Sequence, residues 1–210
     1  MIRGLYGMID LPATADAATG TALAGALVDG GACIVQLRMK GADAADLVAI
    51  ARALSPWCRA RGVAFVVNDR LDVALAAGAD GVHLGQDDLP LAAARSVAPA
   101  GFVVGVSTHD EAQARAAVAG AASYIGFGPC FTTSTKRNPD PVVGLARLAR
   151  VCGASSIPVV AIGGITLDTV ADVARAGAAA AAVIRAVNSA PDVAAAARAV
   201  TAAFDRSRAR

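Results

Sequence analysis

The sequence predicts an α/β fold, a single (β/α)8 TIM barrel spanning residues 1–210. Three observations carry this reading. Short apolar runs alternate with longer helix-favouring stretches from end to end, eight of each, and parallel strands need such a crossover between neighbours. Most of the runs are followed at once by a polar, charged or glycine-rich cluster, and a barrel gathers all its strand ends on one rim. A length of 210 residues suits one barrel better than two domains.

The strand-like runs fall at residues 5–9, 34–37, 64–67, 81–84, 102–106, 124–127, 159–162 and 181–184. The helical stretches follow at 19–30, 44–61, 71–77, 89–97, 110–119, 143–152, 167–176 and 191–204. Alanine favours helix at 44–54 and 193–204 because it loses no side-chain entropy there. Ala-Gly-Ala recurs at 77–79, 119–121 and 176–178, each time between a helix and the next strand. Glycine at that point takes the left-handed conformation at little steric cost. The longest irregular segment, 128–141, is rich in Pro, Thr and Ser. Its place after the sixth strand reads as an active-site flap.

Composition excludes several classes. Apolar residues make up 56% and aromatics 4%, so the core is built mainly from Val, Leu, Ile and Ala. The mean hydropathy is +0.54, yet no uncharged apolar run reaches the ~18 residues of a membrane span. The N-terminal run stops at Asp10, a poor signal peptide and a good first strand. A net charge of +2 gives no basic surface for nucleic acid. Arg206, Arg208 and Arg210 fall in 205–210, read as a frayed C-terminal tail. Cys33, Cys58, Cys130 and Cys152 form no CxxC pair, which suits reduced thiols and a cytoplasmic enzyme. The oligomeric state is left open, a homo-oligomer included.

The clusters themselves suggest chemistry. In QLRMK (36–40), Gln36, Arg38 and Lys40 sit two apart and share one side of a strand. Two neighbouring cations repel unless an anion lies between them, and a diphosphate supplies one, with Arg as a fork and Lys as a point charge. The plainer reading pairs Arg38 with a nearby carboxylate and leaves Lys40 in solvent. Asn68 and Asp69 end the third run, and Asp88 follows the fourth through HLGQDD (83–88). Neighbouring strand ends bring the two carboxylates together. All-oxygen ligands without nearby Cys or paired His suit magnesium, whose other positions go to water and phosphate. The plainer readings are an Asp69–Arg70 pair and a helix cap at Asp88.

Ser107 sits in GVSTH (105–109) before a helix whose N-terminus favours phosphate; capping by Thr108 or Asp110 is the alternative. Histidine ordinarily titrates near neutrality, so His109 is a candidate acid–base group, whereas His83 reads as a packed, hydrogen-bonded histidine. Thr132–Lys136 sets four hydroxyls and a cation in one loop, able to wrap an anion. Gly163 and Gly164 remove side chains where backbone approaches a ligand. With the Ile184–Arg185 end of the eighth strand, they fall where this fold often holds a phosphate.

Taken in order, QLRMK, VNDR, GVHLGQDD, GVSTH, FTTSTK, VVAIGGI and AAVIRAV resemble the successive motifs of the thiamine-phosphate synthase family, from Leu5 to about Val187. The resemblance implies a TIM barrel that joins 4-amino-2-methyl-5-hydroxymethylpyrimidine diphosphate to a thiazole phosphate, giving thiamine phosphate and pyrophosphate. It implies that Gln36, Arg38, Lys40, Asn68, Ser107 and Lys136 bind the pyrimidine diphosphate, and that Arg38, Lys40, Lys136 and Ser107 assist catalysis. Asp69 and Asp88 would hold Mg2+. Thr133, Ser134, Thr135, Gly164, Ile184 and Arg185 would bind the thiazole phosphate. The reaction would pass through a pyrimidine carbocation, which agrees with the absence of an activated Ser-His-Asp or Cys-His set in the sequence.

Two positions depart from the family pattern. Met39 stands where an acidic residue is common, and strand alternation turns it away from Arg38 and Lys40. Arg185 stands where serine is common. Three rivals remain: the thiazole tautomerase relative, with His109 as its acid–base group; a non-catalytic phosphometabolite-binding barrel; and an unrelated sugar-phosphate isomerase on the same fold.

Overall fold

Each apolar run is too short to stand alone and gains its backbone partners only from its neighbours. In the computed structural model, which describes residues 2–133 and 140–208, eight strands close into one parallel barrel in chain order. They are β1 (Gly4–Asp10), β2 (Ala32–Arg38), β3 (Ala64–Asn68), β4 (Gly81–Leu84), β5 (Val103–Thr108), β6 (Tyr124–Phe127), β7 (Val159–Ala161) and β8 (Ala180–Val183). β1 closes the ring on β8, with Leu5 opposite Ala181.

The helices are α1 (Ala17–Asp29), α2 (Ala44–Arg59), α3 (Leu71–Ala76), α4 (Leu91–Val97), α5 (Glu111–Ala119), α6 (Gly144–Ala154), α7 (Val170–Arg175), α8 (Arg185–Asn188) and α9 (Val193–Arg208). The short α8 is the one element the sequence pattern does not separate; it opens directly from Ile184 after β8. No helix among the described residues is long and apolar enough to cross a membrane.

Strand alternation makes two cores. Tyr6, Met8, Ile34, Val66, Tyr124 and Val160 point into the barrel and form one buried cluster. Leu5, Ile9, Val35, Leu37, Phe65, Val67 and Phe127 point outward and pack beneath the helices in another. Met39 belongs to this outer core at 6% exposure, turned away from Arg38 and Lys40 as alternation requires.

Two expectations are corrected. Residues 205–208 are no frayed tail: α9 runs through Arg208, whose guanidinium donates to the carbonyls of Ala178 and Ala179 at 3.2 and 3.1 Å. The helix is anchored earlier by Thr201, which donates to Gly30 O at 2.7 Å. The three Ala-Gly-Ala turns are also not alike. Gly78 and Gly177 are left-handed (φ 64° and 93°), but Gly120 is not; there Ala121 takes that conformation, at φ 60°. The same closing bond, from an amide to the carbonyl five residues back, forms at Ala79, Ala122 and Ala178. In α5 the turn is simply shifted one residue along. Gly120 instead meets Leu91, whose Cδ2 would lie 2.7 Å from an added Cβ.

Candidate active site

The C-terminal strand ends open into one cavity of about 910 Å3. It is lined by Gln36, Arg38 and Lys40 from the end of β2, and by Asn68 and Asp69 from β3. Asp88 after β4, Ser107 in β5, Thr133, Gly164, Ile184 and Arg185 complete the set. These are the candidate residues read from the sequence, brought together from seven strand ends. Ser134, Thr135 and Lys136 lie outside the described residues.

At the rim, Asp69 and Asp88 face each other. Burial and the neighbouring Asp88 raise the Asp69 carboxyl to about 6, against the opposing pull of Lys40 and Arg38. Asp69 sits at φ 63°, and its amide donates to His83 O at 2.8 Å. A non-glycine residue there is uncommon, though aspartate tolerates it. Asp88 accepts from the Gly85 amide at 2.6 Å and does not cap α4, which follows Pro90. The expected alternative for Asp69 is absent too, because Arg70 pairs with Asp72. No cluster of three or more His, Cys, Asp or Glu arranged for a metal occurs among the described residues. The two facing carboxylates nevertheless fit magnesium, which needs few protein ligands and relieves the repulsion between them.

Arg38 is engaged with Asp10 at 2.5 Å, a residue that ends β1 and that sequence reasoning passed over. Their strands pair in register at these two positions. The plainer reading of Arg38 is thus what the structure records, although Arg38 also lines the cavity. Lys40 is exposed.

Ser107 does not lie at a phosphate-ready helix end. Asp110 caps α5, accepting from the Gln113 amide at 2.7 Å. Ser107 Oγ instead meets His83 Nε2 at 2.9 Å. His83 Nδ1 meets the Tyr124 hydroxyl at 2.9 Å, that hydroxyl meets Tyr6 at 2.7 Å, and Tyr6 accepts from Gln36 Nε2 at 2.7 Å. Five polar side chains therefore run in one string across the barrel floor. Burial lowers the His83 imidazole to about 4, so it is neutral near physiological pH, and burial raises both phenols. Two glycines make the room: an added Cβ at Gly105 would lie 2.1 Å from Tyr124 Cζ, and one at Gly126 would lie 3.1 Å from His83 Cε1. Sequence reasoning missed Tyr6 and Tyr124. The one signal in the sequence was that the chain has only two tyrosines, both in strand-like runs; that Gly105 pairs with Tyr124 emerges only from the ladder.

His109 is committed as well. Its Nδ1 donates to Gly128 O at 2.6 Å and its Nε2 lies 3.4 Å from Asp140, so it joins both feet of the 128–141 segment. Gly163 and Gly164 (φ 85° and 68°) serve that segment too. An added Cβ would lie 2.5 Å from Pro129 at the first and 2.5 Å from Thr132 O at the second. The glycine pair therefore answers to the packing of residues 129–132, which the reading as a bare ligand-facing backbone did not foresee.

A closed parallel barrel with cations, facing carboxylates and a large cavity at the strand C-termini defines an enzyme of the class that handles phosphorylated small molecules at this rim. Comparison with known proteins makes the class specific. The family model for thiamine monophosphate synthase matches residues 9–187. A thiamine-phosphate synthase of Methanospirillum hungatei is 50% identical over 171 residues, covering 81% of this chain and 83% of the relative. One of Anaeromyxobacter dehalogenans is 50% identical over 208 residues, covering 99% and 90%. The solved thiamine phosphate pyrophosphorylase of Pyrococcus furiosus superposes with a TM-score of 0.85 at 33% identity, over 98% of this chain and 96% of that one. The chain belongs to the thiamine-phosphate synthase family, a family of enzymes. A 3-hexulose-6-phosphate synthase from Salmonella typhimurium, at TM-score 0.70 and 17% identity, shares the fold.

Proposed function

We propose that the chain condenses 4-amino-2-methyl-5-hydroxymethylpyrimidine diphosphate with a thiazole phosphate, releasing pyrophosphate, in a Mg2+-dependent reaction in the cytoplasm. The observation that carries this reading is the juxtaposition of Asp69 and Asp88 with Arg38 and Lys40 around one cavity of about 910 Å3. That volume lies at the upper end for small-molecule sites, which suits two substrates held together.

In this reading Asp69 and Asp88 hold the metal, which when bound neutralises charge on the diphosphate oxygens. Arg38 and Lys40 bind the same oxygens and favour the charge that develops as the diphosphate leaves. The methylene C–O bond breaks with both electrons going to the diphosphate. The resulting pyrimidine cation is captured by the thiazole nitrogen, forming the C–N bond. No protein nucleophile is required. Gln36, Asn68 and Ser107 orient the pyrimidine, while Gly164, Ile184, Arg185 and Thr133 receive the thiazole phosphate. Lys136, Ser134 and Thr135, from the segment beyond Thr133, are assigned to the same two ligands.

The tautomerase alternative needs His109 as a mobile acid–base group, and His109 spends Nδ1 on Gly128 O. The test is pyrophosphate release with both substrates, with and without Mg2+. Release that needs both substrates and the metal is expected. No release under any condition would overturn the reading.

A further inference from the structure

The string Gln36–Tyr6–Tyr124–His83–Ser107 has a direction that follows from counting protons. Gln36 Nε2 can only donate, so the Tyr6 oxygen accepts. Tyr6 then has one proton left to place, and its other partner is the Tyr124 oxygen. Tyr6 borders the cavity but is only 2% exposed, so keeping that proton without an acceptor would leave a buried donor unsatisfied. Tyr124 in turn places its proton on His83 Nδ1. An imidazole that accepts at Nδ1 carries its hydrogen at Nε2 and donates it to Ser107 Oγ. Among the described residues Ser107 Oγ has no second partner, so its own proton is left for the cavity it lines. At the other end, Gln36 has spent an Nε2 hydrogen inward, and its carbonyl oxygen is left for the same cavity.

We propose that Tyr6, Tyr124 and His83 are positioning residues whose one-way hydrogen-bond relay sets Ser107 as a donor and Gln36 as an acceptor toward the bound ring. They act through Ser107 and Gln36. They fix the polarity of the two groups that read the ring, so the floor takes a ring offering an acceptor to Ser107 and a donor to Gln36, and rejects the reversed pattern. A 4-aminopyrimidine carries both features, in its ring nitrogens and its amine. That assignment rests on the synthase reading; the direction of the relay does not. The ring contacts support a fixed geometry: His83 stacks on Tyr124 with centroids 5.4 Å apart and an interplanar angle of 25°.

Two measurements test the relay. The first is the 15N spectrum of the histidine side chains near neutral pH. The chain has two histidines, so His109→Asn identifies the His83 signals. A neutral ring protonated at Nε2 is expected; a ring protonated at Nδ1, or at both nitrogens, overturns the proposal. This needs neither substrate nor turnover, so it stands whatever becomes of the synthase reading.

The second measurement compares kcat/KM for the 4-amino substrate and its 4-oxo analogue, which reverses donor and acceptor. A site built to hydrogen-bond one pattern discriminates strongly against the other. Tyr124→Phe is expected to cut that discrimination by about two- to tenfold, one hydrogen bond's worth, while leaving KM for the thiazole phosphate unchanged. Unchanged discrimination in a folded Tyr124→Phe protein, or an equal rise in both KM values, overturns it. Wild-type enzyme that releases no pyrophosphate would instead remove the synthase reading and leave the tautomer measurement to decide the relay.

Discussion

Asp69 and Ala121 are the two non-glycine residues among those described that hold a left-handed backbone, at φ 63° and 60°. They sit at opposite ends of the barrel and hold it for different reasons. Asp69 follows β3 at the cavity rim, where its amide is tied to His83 O and its carboxylate is turned toward Asp88. Ala121 lies on the far side, where α5 turns into β6, and its exposed methyl carries no chemistry. Strain at the rim is thus coupled to a side chain that must point one way, whereas strain at the base is a matter of which residue the turn happened to reach. Backbone strain alone does not mark a functional site; the difference lies in what the side chain meets.

Replacing Asp69 gives the largest expected effect. Asparagine tolerates the left-handed region, so Asp69→Asn removes the charge without adding backbone strain, which Asp69→Ala would not manage. Turnover in the Mg2+-dependent assay is expected to fall about a hundredfold or more, while thermal stability without metal rises. The sign follows from the raised carboxyl. Between the ordinary value of 3.8 and about 6, the folded state holds a proton that the unfolded chain has released. Stability therefore falls as pH rises through that window. Melting curves of wild type and Asp69→Asn should diverge across pH 4 to 6 in favour of the variant. Parallel curves, or wild-type turnover, would detach Asp69 from the site.

The rim was legible in the sequence because charge placed straight after an apolar run has few structural uses. Arg38, Lys40, Asp69 and Asp88 stood out on that ground, and closure of the barrel brought them to one cavity. The barrel floor was not legible. Tyr6 and Tyr124 look like ordinary core aromatics until β1 closes on β8 and sets Tyr6 between Gln36 and Tyr124. Partners 118 residues apart leave no periodic trace. Asp10 was hidden for the same reason, since its role depends on register with Arg38. Ala-Gly-Ala at 119–121 misled because the motif predicts that a left-handed residue exists near the helix end, not which residue carries it.

That last ambiguity makes a pair of opposite substitutions informative at the base. Gly78 ends α3 in the conformation that Ala121 adopts after α5, at φ 64°. An added Cβ there meets nothing closer than Ser55 Oγ at 3.9 Å, so Gly78→Ala tests backbone strain without a clash. A loss of about 1 kcal/mol is expected by denaturant titration, with kcat and KM unchanged because the turn lies away from the cavity.

Ala121→Gly should do the reverse, and by less. The Ala121 methyl is exposed, so its removal sacrifices no packing. The left-handed region costs an L-residue roughly 1–2 kcal/mol, but glycine returns part of that gain through the larger entropy of its unfolded chain. The net expectation is a stabilisation of about 0.5 kcal/mol. The hydrogen bond from Arg95 Nε to Ala121 O, at 2.9 Å, uses backbone only and survives the change. If Ala121→Gly destabilises the protein while Gly78→Ala behaves as expected, the left-handed turn after α5 is held by contacts of the Ala121 methyl. The two strained residues would then differ less than their surroundings indicate. A gain in stability with unaltered turnover would leave Asp69 as the position where this backbone conformation is coupled to chemistry.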